Sequence, residues 1–228
     1  VNMLNLDDDE RVSEILPVEE FSDDKFIFMA TRKGITKKTN LSLFARKWKS
    51  GIKAINLDED DRLVGTAITD GKKEILLASS AGKLIRFNET KVRAMGRTAR
   101  GVKGMKLKKD QRLISLNVAD PEKTVLFVSE NGYGKKTNLD DFPTHNRGGQ
   151  GVISIKTSER NGMMVAATLV NEEDGIMLIS DKGTMIRTNV SQVPTLSRNT
   201  QGVKIITPKE NEKLTECVTI PKEEDQED

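Results

Sequence analysis

The chain has 228 residues, of which 36% are hydrophobic, 4% aromatic and 32% charged, with a formal net charge of +2. It is long enough to bury a substantial core, but too poor in apolar residues for two close-packed domains, so many short strands with much exposed surface are expected. The single cysteine, Cys217, excludes an internal disulfide framework and a cysteine-rich zinc site and suits a reducing cytosol; no signal peptide or long apolar run points to a membrane.

The near-neutral charge is unevenly spread. Asp7-Asp8-Asp9-Glu10 is acidic, and residues 221–228 hold five acidic side chains against one basic, so the middle of the chain is the more basic part. Two series of glycines divide that middle. Gly51, Gly101, Gly151 and Gly202 lie 50, 50 and 51 positions apart, and Gly34, Gly82, Gly132 and Gly183 lie 48, 50 and 51 apart. A period near 50 residues is that of propeller blades.

In chain order, residues 1–18 match the closing strands of a repeat whose opening half lies upstream: Val1-Asn2-Met3-Leu4-Asn5-Leu6 parallels Ile52-Lys53-Ala54-Ile55-Asn56-Leu57. The chain is accordingly expected to be an N-terminally truncated fragment. Residues 19–220 then hold four complete repeats. Each opens with an apolar strand, beginning at Lys25, Glu74, Thr124 and Gly175, and turns at a glycine where a tight hairpin needs positive φ. A return strand follows, such as Gly183-Thr184-Met185-Ile186-Arg187-Thr188, whose alternation predicts one buried and one basic face. A polar connection leads to the second glycine and a closing strand pair, such as Ile52 to Leu57 and Leu63 to Ile68. Helix is limited to one turn near Thr90–Ala94. Propeller units bury their faces against neighbours, so the four repeats form one all-β domain. Residues 221–228 read as a disordered acidic tail.

Catalytic chemistry finds little support. His145, the only histidine, has no second ligand at metal spacing, and Asp58-Glu59-Asp60-Asp61 lacks the glycine and terminal glutamate of a calcium loop. Cys217 has no activating neighbour and reads as a small core residue.

The cations are more informative, because they recur. Four positions past each hairpin glycine stand Lys38, Arg86, Lys136 and Arg187, with Lys37 and Lys135 beside two of them. The connections add Arg46, Lys47 and Lys49, then Lys91, Arg93, Arg97 and Arg100, then Arg147 and Arg198; Lys53, Lys103 and Lys204 follow the second glycine, where the third repeat has Ile153. One such cation alone would serve to block edge pairing or to solvate a strand. A set repeated at blade spacing predicts a belt of positive charge on the rim or one face, suited to a polyanion longer than one contact, such as bent duplex nucleic acid. Trp48 and Tyr133 are the only large amphipathic aromatics, which disfavours base stacking and leaves phosphate contact with little sequence readout.

The segments Asn131-Gly132-Tyr133-Gly134-Lys135-Lys136-Thr137, Gly151-Val152-Ile153-Ser154-Ile155-Lys156, Ser158-Glu159-Arg160-Asn161-Gly162, Val92-Arg93-Ala94-Met95-Gly96 and Arg198-Asn199-Thr200-Gln201-Gly202-Val203 resemble, in order, the C-terminal domain of the bacterial DNA gyrase A subunit. The paralogous topoisomerase IV domain is the nearest competitor. The resemblance implies a β-pinwheel, a propeller-like disc whose blades exchange strands. It also implies that the domain wraps double-stranded DNA around a basic rim and presents it for ATP-dependent negative supercoiling in the bacterial cytoplasm, at the nucleoid. The cleaving tyrosine would lie elsewhere in the gyrase A polypeptide. ATP and Mg would belong to the holoenzyme with the gyrase B polypeptide, leaving this fragment without a cofactor. The family's Q-R-R-G-G-x-G box belongs to a first blade; its closest match here is Arg147-Gly148-Gly149-Gln150-Gly151, preceded by His145-Asn146. A propeller-like platform for an acidic protein partner is the other reading of the charge pattern, and an acidic tail that competes with DNA for the belt is a further expectation.

Overall fold

The computed structural model describes residues 12–46 and 51–222. Each repeat forms a hairpin followed by a further strand of six or seven residues. The strands of the first repeat are β1 (Phe26–Thr31), β2 (Ile35–Asn40) and β3 (Leu63–Thr69), and those of the second are β4 (Glu74–Ser79), β5 (Lys83–Asn88), β6 (Val102–Lys103) and β7 (Leu113–Val118). The third holds β8 (Thr124–Ser129), β9 (Tyr133–Asn138), β10 (Val152–Ile153) and β11 (Met164–Val170), and the fourth holds β12 (Gly175–Ser180), β13 (Met185–Asn189), β14 (Val203–Lys204) and β15 (Leu214–Ile220). Four 3-10 turns, Leu41–Phe44, Glu89–Lys91, Leu139–Asp141 and Val190–Gln192, follow the return strands and account for the helical signal.

The sheets run β3-β1-β2-β6, β7-β4-β5-β10, β11-β8-β9-β14 and β15-β12-β13. The closing pair expected within each repeat therefore does not form. The short strand after the second glycine is handed back to the preceding blade: Val102 pairs with Thr36, Val152 with Leu84 and Val203 with Gly134. Residues 51–57 carry no strand, since no earlier return strand is present among the described residues to receive them. Residues 12–18 carry none either; Glu14 instead accepts the Thr66 amide of β3 at 2.9 Å. Residues 1–11 and 223–228, and with them most of the expected upstream strands and acidic tail, lie outside the described residues.

β3, β7, β11 and β15 pack against one another and line the axis, so β6, β10 and β14 form the outer edge of the disc. The core lies between blades. Phe28 and Phe87 meet at 6.4 Å across the first interface; Phe127 and Phe142, both of the third repeat and 5.8 Å apart, pack in one cluster with Leu76, Ala78 and Leu84 of the second. Two glycine positions show how tightly the exchange is fitted. A Cβ on Gly132 (φ +78°) would lie 2.2 Å from the Ile206 carbonyl of the next repeat, and one on Gly151 (φ +71°) 2.4 Å from the Leu84 carbonyl of the previous one.

Among the described residues the fourth blade receives no exchanged strand. β13 is an edge, with Met185, Ile186 and Arg187 exposed where the matched residues of β9, Gly134 to Lys136, are buried. Amide hydrogens of β13 should therefore exchange with solvent much faster than those of β2, β5 and β9. Equal protection in hydrogen-exchange mass spectrometry would contradict the open edge.

Candidate nucleic-acid interface

The return strands do not present the expected basic face. Lys37 and Lys135 have 0% exposure, Lys136 has 2% and Lys38 has 6%. Their ammonium groups are held by backbone carbonyls and carboxylates, most of them beyond their own repeat. Lys38 Nζ donates to the Glu89 carbonyl at 3.1 Å and pairs with the Glu89 carboxylate at 3.6 Å. Arg86 Nε donates to Glu74 at 2.8 Å, while its Nη1 reaches the Leu139 and Phe142 carbonyls of the next repeat's 3-10 turn at 3.1 and 3.3 Å. Lys136 pairs with Glu172. The connecting segment of the following repeat lies against the same strands: Met95 N donates to the Lys38 carbonyl at 2.8 Å, His145 N to Arg86 at 2.7 Å and Leu196 N to Lys136 at 2.8 Å.

Lys38, Arg86 and Lys136 are thus fasteners between blades, and the expectation that they form a belt is corrected. Lys38 and Arg86 meet carbonyls at the next repeat's 3-10 turn, whereas Lys136 is held by the Glu172 carboxylate. Arg187, the fourth member, is exposed, with no further blade beside it among the described residues.

Lys37 and Lys135 are likewise corrected from rim to interior. Lys37 Nζ donates to the Ala54 carbonyl at 2.6 Å and to that of Arg97; Lys135 Nζ donates to the Ser197 and Arg198 carbonyls at 2.6 and 2.7 Å. Burial, and secondarily the neighbouring charge of Arg97 or Arg198, pulls each ammonium down to about 8 from its ordinary 10.5.

The remaining candidates lie on the outer strands and connections. Arg46, Lys91, Arg93, Arg100, Lys103 and Lys204 are exposed, and Arg97, Arg147 and Arg198 are half-buried; Lys47 and Lys49 lie outside the described residues. Arg147 joins two blades, its Nε donating to the Lys91 carbonyl at 2.8 Å and its Nη1 to the Lys103 carbonyl at 3.0 Å. Lys91, Lys103 and Arg147 are thereby gathered at one place on the outer edge. Arg198 repeats the arrangement one blade on, reaching the Ile153 carbonyl at 3.2 Å. Each guanidinium keeps N–H donors beyond those bonds. Arg100 is engaged with Asp58.

Lys106 and Lys156, exposed just past β6 and β10, were missed by sequence reasoning although both stand five residues after a second glycine. Tyr133 is 7% exposed, with Arg160 at 5.0 Å and Lys204 at 5.5 Å from its ring, so it offers no face to a base. Among the described residues the edge is therefore a cation-rich surface without an exposed aromatic platform.

Comparison with known proteins bears on this architecture. The family model described as DNA gyrase C-terminal domain, beta-propeller, matches residues 25–70, 73–120, 123–171 and 176–221, one segment per blade. The chain belongs to this family. The DNA gyrase A subunit of Salmonella typhimurium is 46% identical over 214 residues, which is 94% of this chain and 24% of that protein. Its counterpart in Pseudomonas aeruginosa is 52% identical over 205 residues, covering 89% and 22%, and that in Escherichia coli 43% over 228, covering 100% and 26%. The chain thus spans about a quarter of these relatives' length. Among solved structures, a DNA gyrase A C-terminal domain superposes with a TM-score of 0.84 at 27% identity, covering 96% of this chain and 73% of that one. The C-terminal domain of a DNA topoisomerase IV gives 0.89 at 26%, covering 96% and 68%.

The all-β, propeller-like fold read from the 50-residue period is therefore that of the gyrase C-terminal family. Burial, and then Glu216, pushes the Cys217 thiol up to about 12, which leaves it unreactive. Among the described residues no group of three His, Cys, Asp or Glu could hold a metal ion, and no helix is long and apolar enough to cross a membrane.

Proposed function

We propose that this chain is the part of a DNA gyrase A polypeptide that binds double-stranded DNA and bends it around the outer edge of the disc. A bound segment would be presented for strand passage by the rest of gyrase A together with gyrase B, in ATP- and Mg-dependent negative supercoiling at the bacterial nucleoid. The observation that carries the reading is the outer edge itself. Lys103 and Lys204 (two repeats apart, with Ile153 at the matched place between them), Arg147 and Arg198, and Lys106 and Lys156 recur there, on strands and connections at the outer side of the sheets. Spaced cations on a curved edge match the phosphates of a bent duplex and favour sequence-independent contact. The relatives at 43–52% identity are gyrase A subunits, which favours gyrase over topoisomerase IV.

The test is a filter-binding series with a linear duplex at increasing salt. Log affinity should fall linearly with log salt at about −0.9 per phosphate neutralised. Absence of binding at low salt, or affinity indifferent to salt, would sink the proposal.

A further inference from the structure

The axis of the disc opens, on the face carrying the hairpin turns, into a cavity of about 540 Å³. Its wall is quasi-symmetric. In each repeat the residue after the first strand's end donates its amide to the residue just before the axial strand: Arg32 to Arg62, Ser80 to Arg112, Glu130 to Met163 and Asp181 to Lys213, at 2.8–2.9 Å. Successive blades are stitched the same way, Leu113 N donating to the Arg32 carbonyl at 2.8 Å and Leu214 N to the Glu130 carbonyl at 2.9 Å. The side chains at these matched places are not symmetric.

One half of the ring carries two carboxylates and a single ammonium. Lys213 Nζ donates to Glu130 at 3.3 Å and its amide to Asp181 at 3.1 Å. The other half is Arg62, Arg32 and Arg112, side by side through the backbone bonds above. Among the described residues none of these three guanidiniums has a hydrogen-bond or ion-pair partner. Of the acids on this side, Asp61 accepts the Lys33 and Arg62 amides at 3.0 and 2.9 Å, and Asp60 and Asp110 line an adjoining depression that also holds Lys33 and Lys109. Below the arginines, Val64, Ile114 and Val165 supply an apolar floor, one residue from each of three axial strands.

We propose that this axial mouth binds a compact polyphosphate, held by Arg32, Arg62 and Arg112. Three adjacent guanidiniums with no carboxylate paired to them among the described residues repel one another until an anion lies between them. Guanidinium forks bind phosphate oxygens in pairs. Each carboxylate carries one charge, whereas linked phosphates concentrate three or more within the span of one blade. The volume falls in the range of small-ligand sites, and a duplex is too wide to enter it. The site is thus separate from the outer edge and independent of the DNA reading.

The experiment is calorimetric titration of tripolyphosphate into the whole chain at 150 mM salt. One ion should bind per chain. Arg62→Gln and Arg112→Gln should each weaken binding about tenfold or more, with R112K losing less than R112Q, while the outer-edge variant Arg93→Gln/Lys204→Gln leaves it unchanged. Both arginines are exposed, so circular dichroism and urea midpoints of the variants should match the parent. Absence of binding, more than one ion per chain, or an equal loss in the outer-edge variant would overturn the proposal.

Discussion

Replacing Arg93, Lys103 and Lys204 together by alanine should reduce the salt slope of duplex binding by about 2.7 and lower affinity at 0.1 M salt by about a hundredfold or more. These three are exposed, and none is among the inter-blade fasteners. If the outer edge holds the duplex, their loss removes phosphate contacts at the cost of a single ring contact between blades, Lys204 on Tyr133. Arg147 and Arg198 make poorer probes, since each also satisfies carbonyls of the neighbouring blade. Arg100 would contribute less, because Asp58 already neutralises it. The decisive contrast is Lys38→Met. Its cation is 6% exposed and faces Glu89, so this variant should bind duplex with the parent's salt slope whenever it is folded. Filter binding at matched folded fraction would read both. If the interior variant lost as much slope as the surface triple, the outer edge would not be the DNA-binding surface.

The sequence carried the period, the hairpins and the turn glycines because each follows from local chemistry. Gly34, Gly82, Gly132 and Gly183 all adopt positive φ in tight turns. Strand exchange was legible only through the resemblance to the gyrase C-terminal family, not in the residues that make it. Nothing in Val102-Lys103 distinguishes pairing with Ile35-Thr36, where Thr36 lies 66 residues from Val102, from pairing within its own repeat, because two extended residues satisfy either edge. The cations were legible as a set but not as to side. A fastener and a phosphate contact both require one positive charge at one place per blade, and periodicity alone cannot tell them apart. One signal did point inward. At the position next to the fastener the blades read Lys37, Ile85, Lys135 and Ile186, and isoleucine substitutes for lysine at a buried place more readily than at a DNA-binding one. Ile85 is 1% exposed, beside the Gly149 connector that matches those capped by Lys37 and Lys135.

That alternation leads to the second large expected effect. In Lys135→Ile, the Ser197 and Arg198 carbonyls lose their donor, which costs about 1–3 kcal/mol for each group left unsatisfied. At pH 7 the loss is partly offset, because a buried ammonium no longer has to be held away from water. The offset disappears as pH rises. The folded-state pKa of Lys135 is lowered to about 8 against an ordinary 10.5, so between these values the unfolded chain binds a proton that the folded chain has released. Stability of the parent therefore rises with pH across this window. The isoleucine variant lacks that gain at position 135 and keeps only the one from Lys37. The stability gap between parent and variant should widen by about 2 kcal/mol from pH 7 to pH 9.5, measured by urea unfolding at each pH. A gap that stayed constant would mean that Lys135 titrates normally in the fold. A gap that narrowed would mean that the carbonyl pair holds the ammonium charged more strongly than burial discharges it.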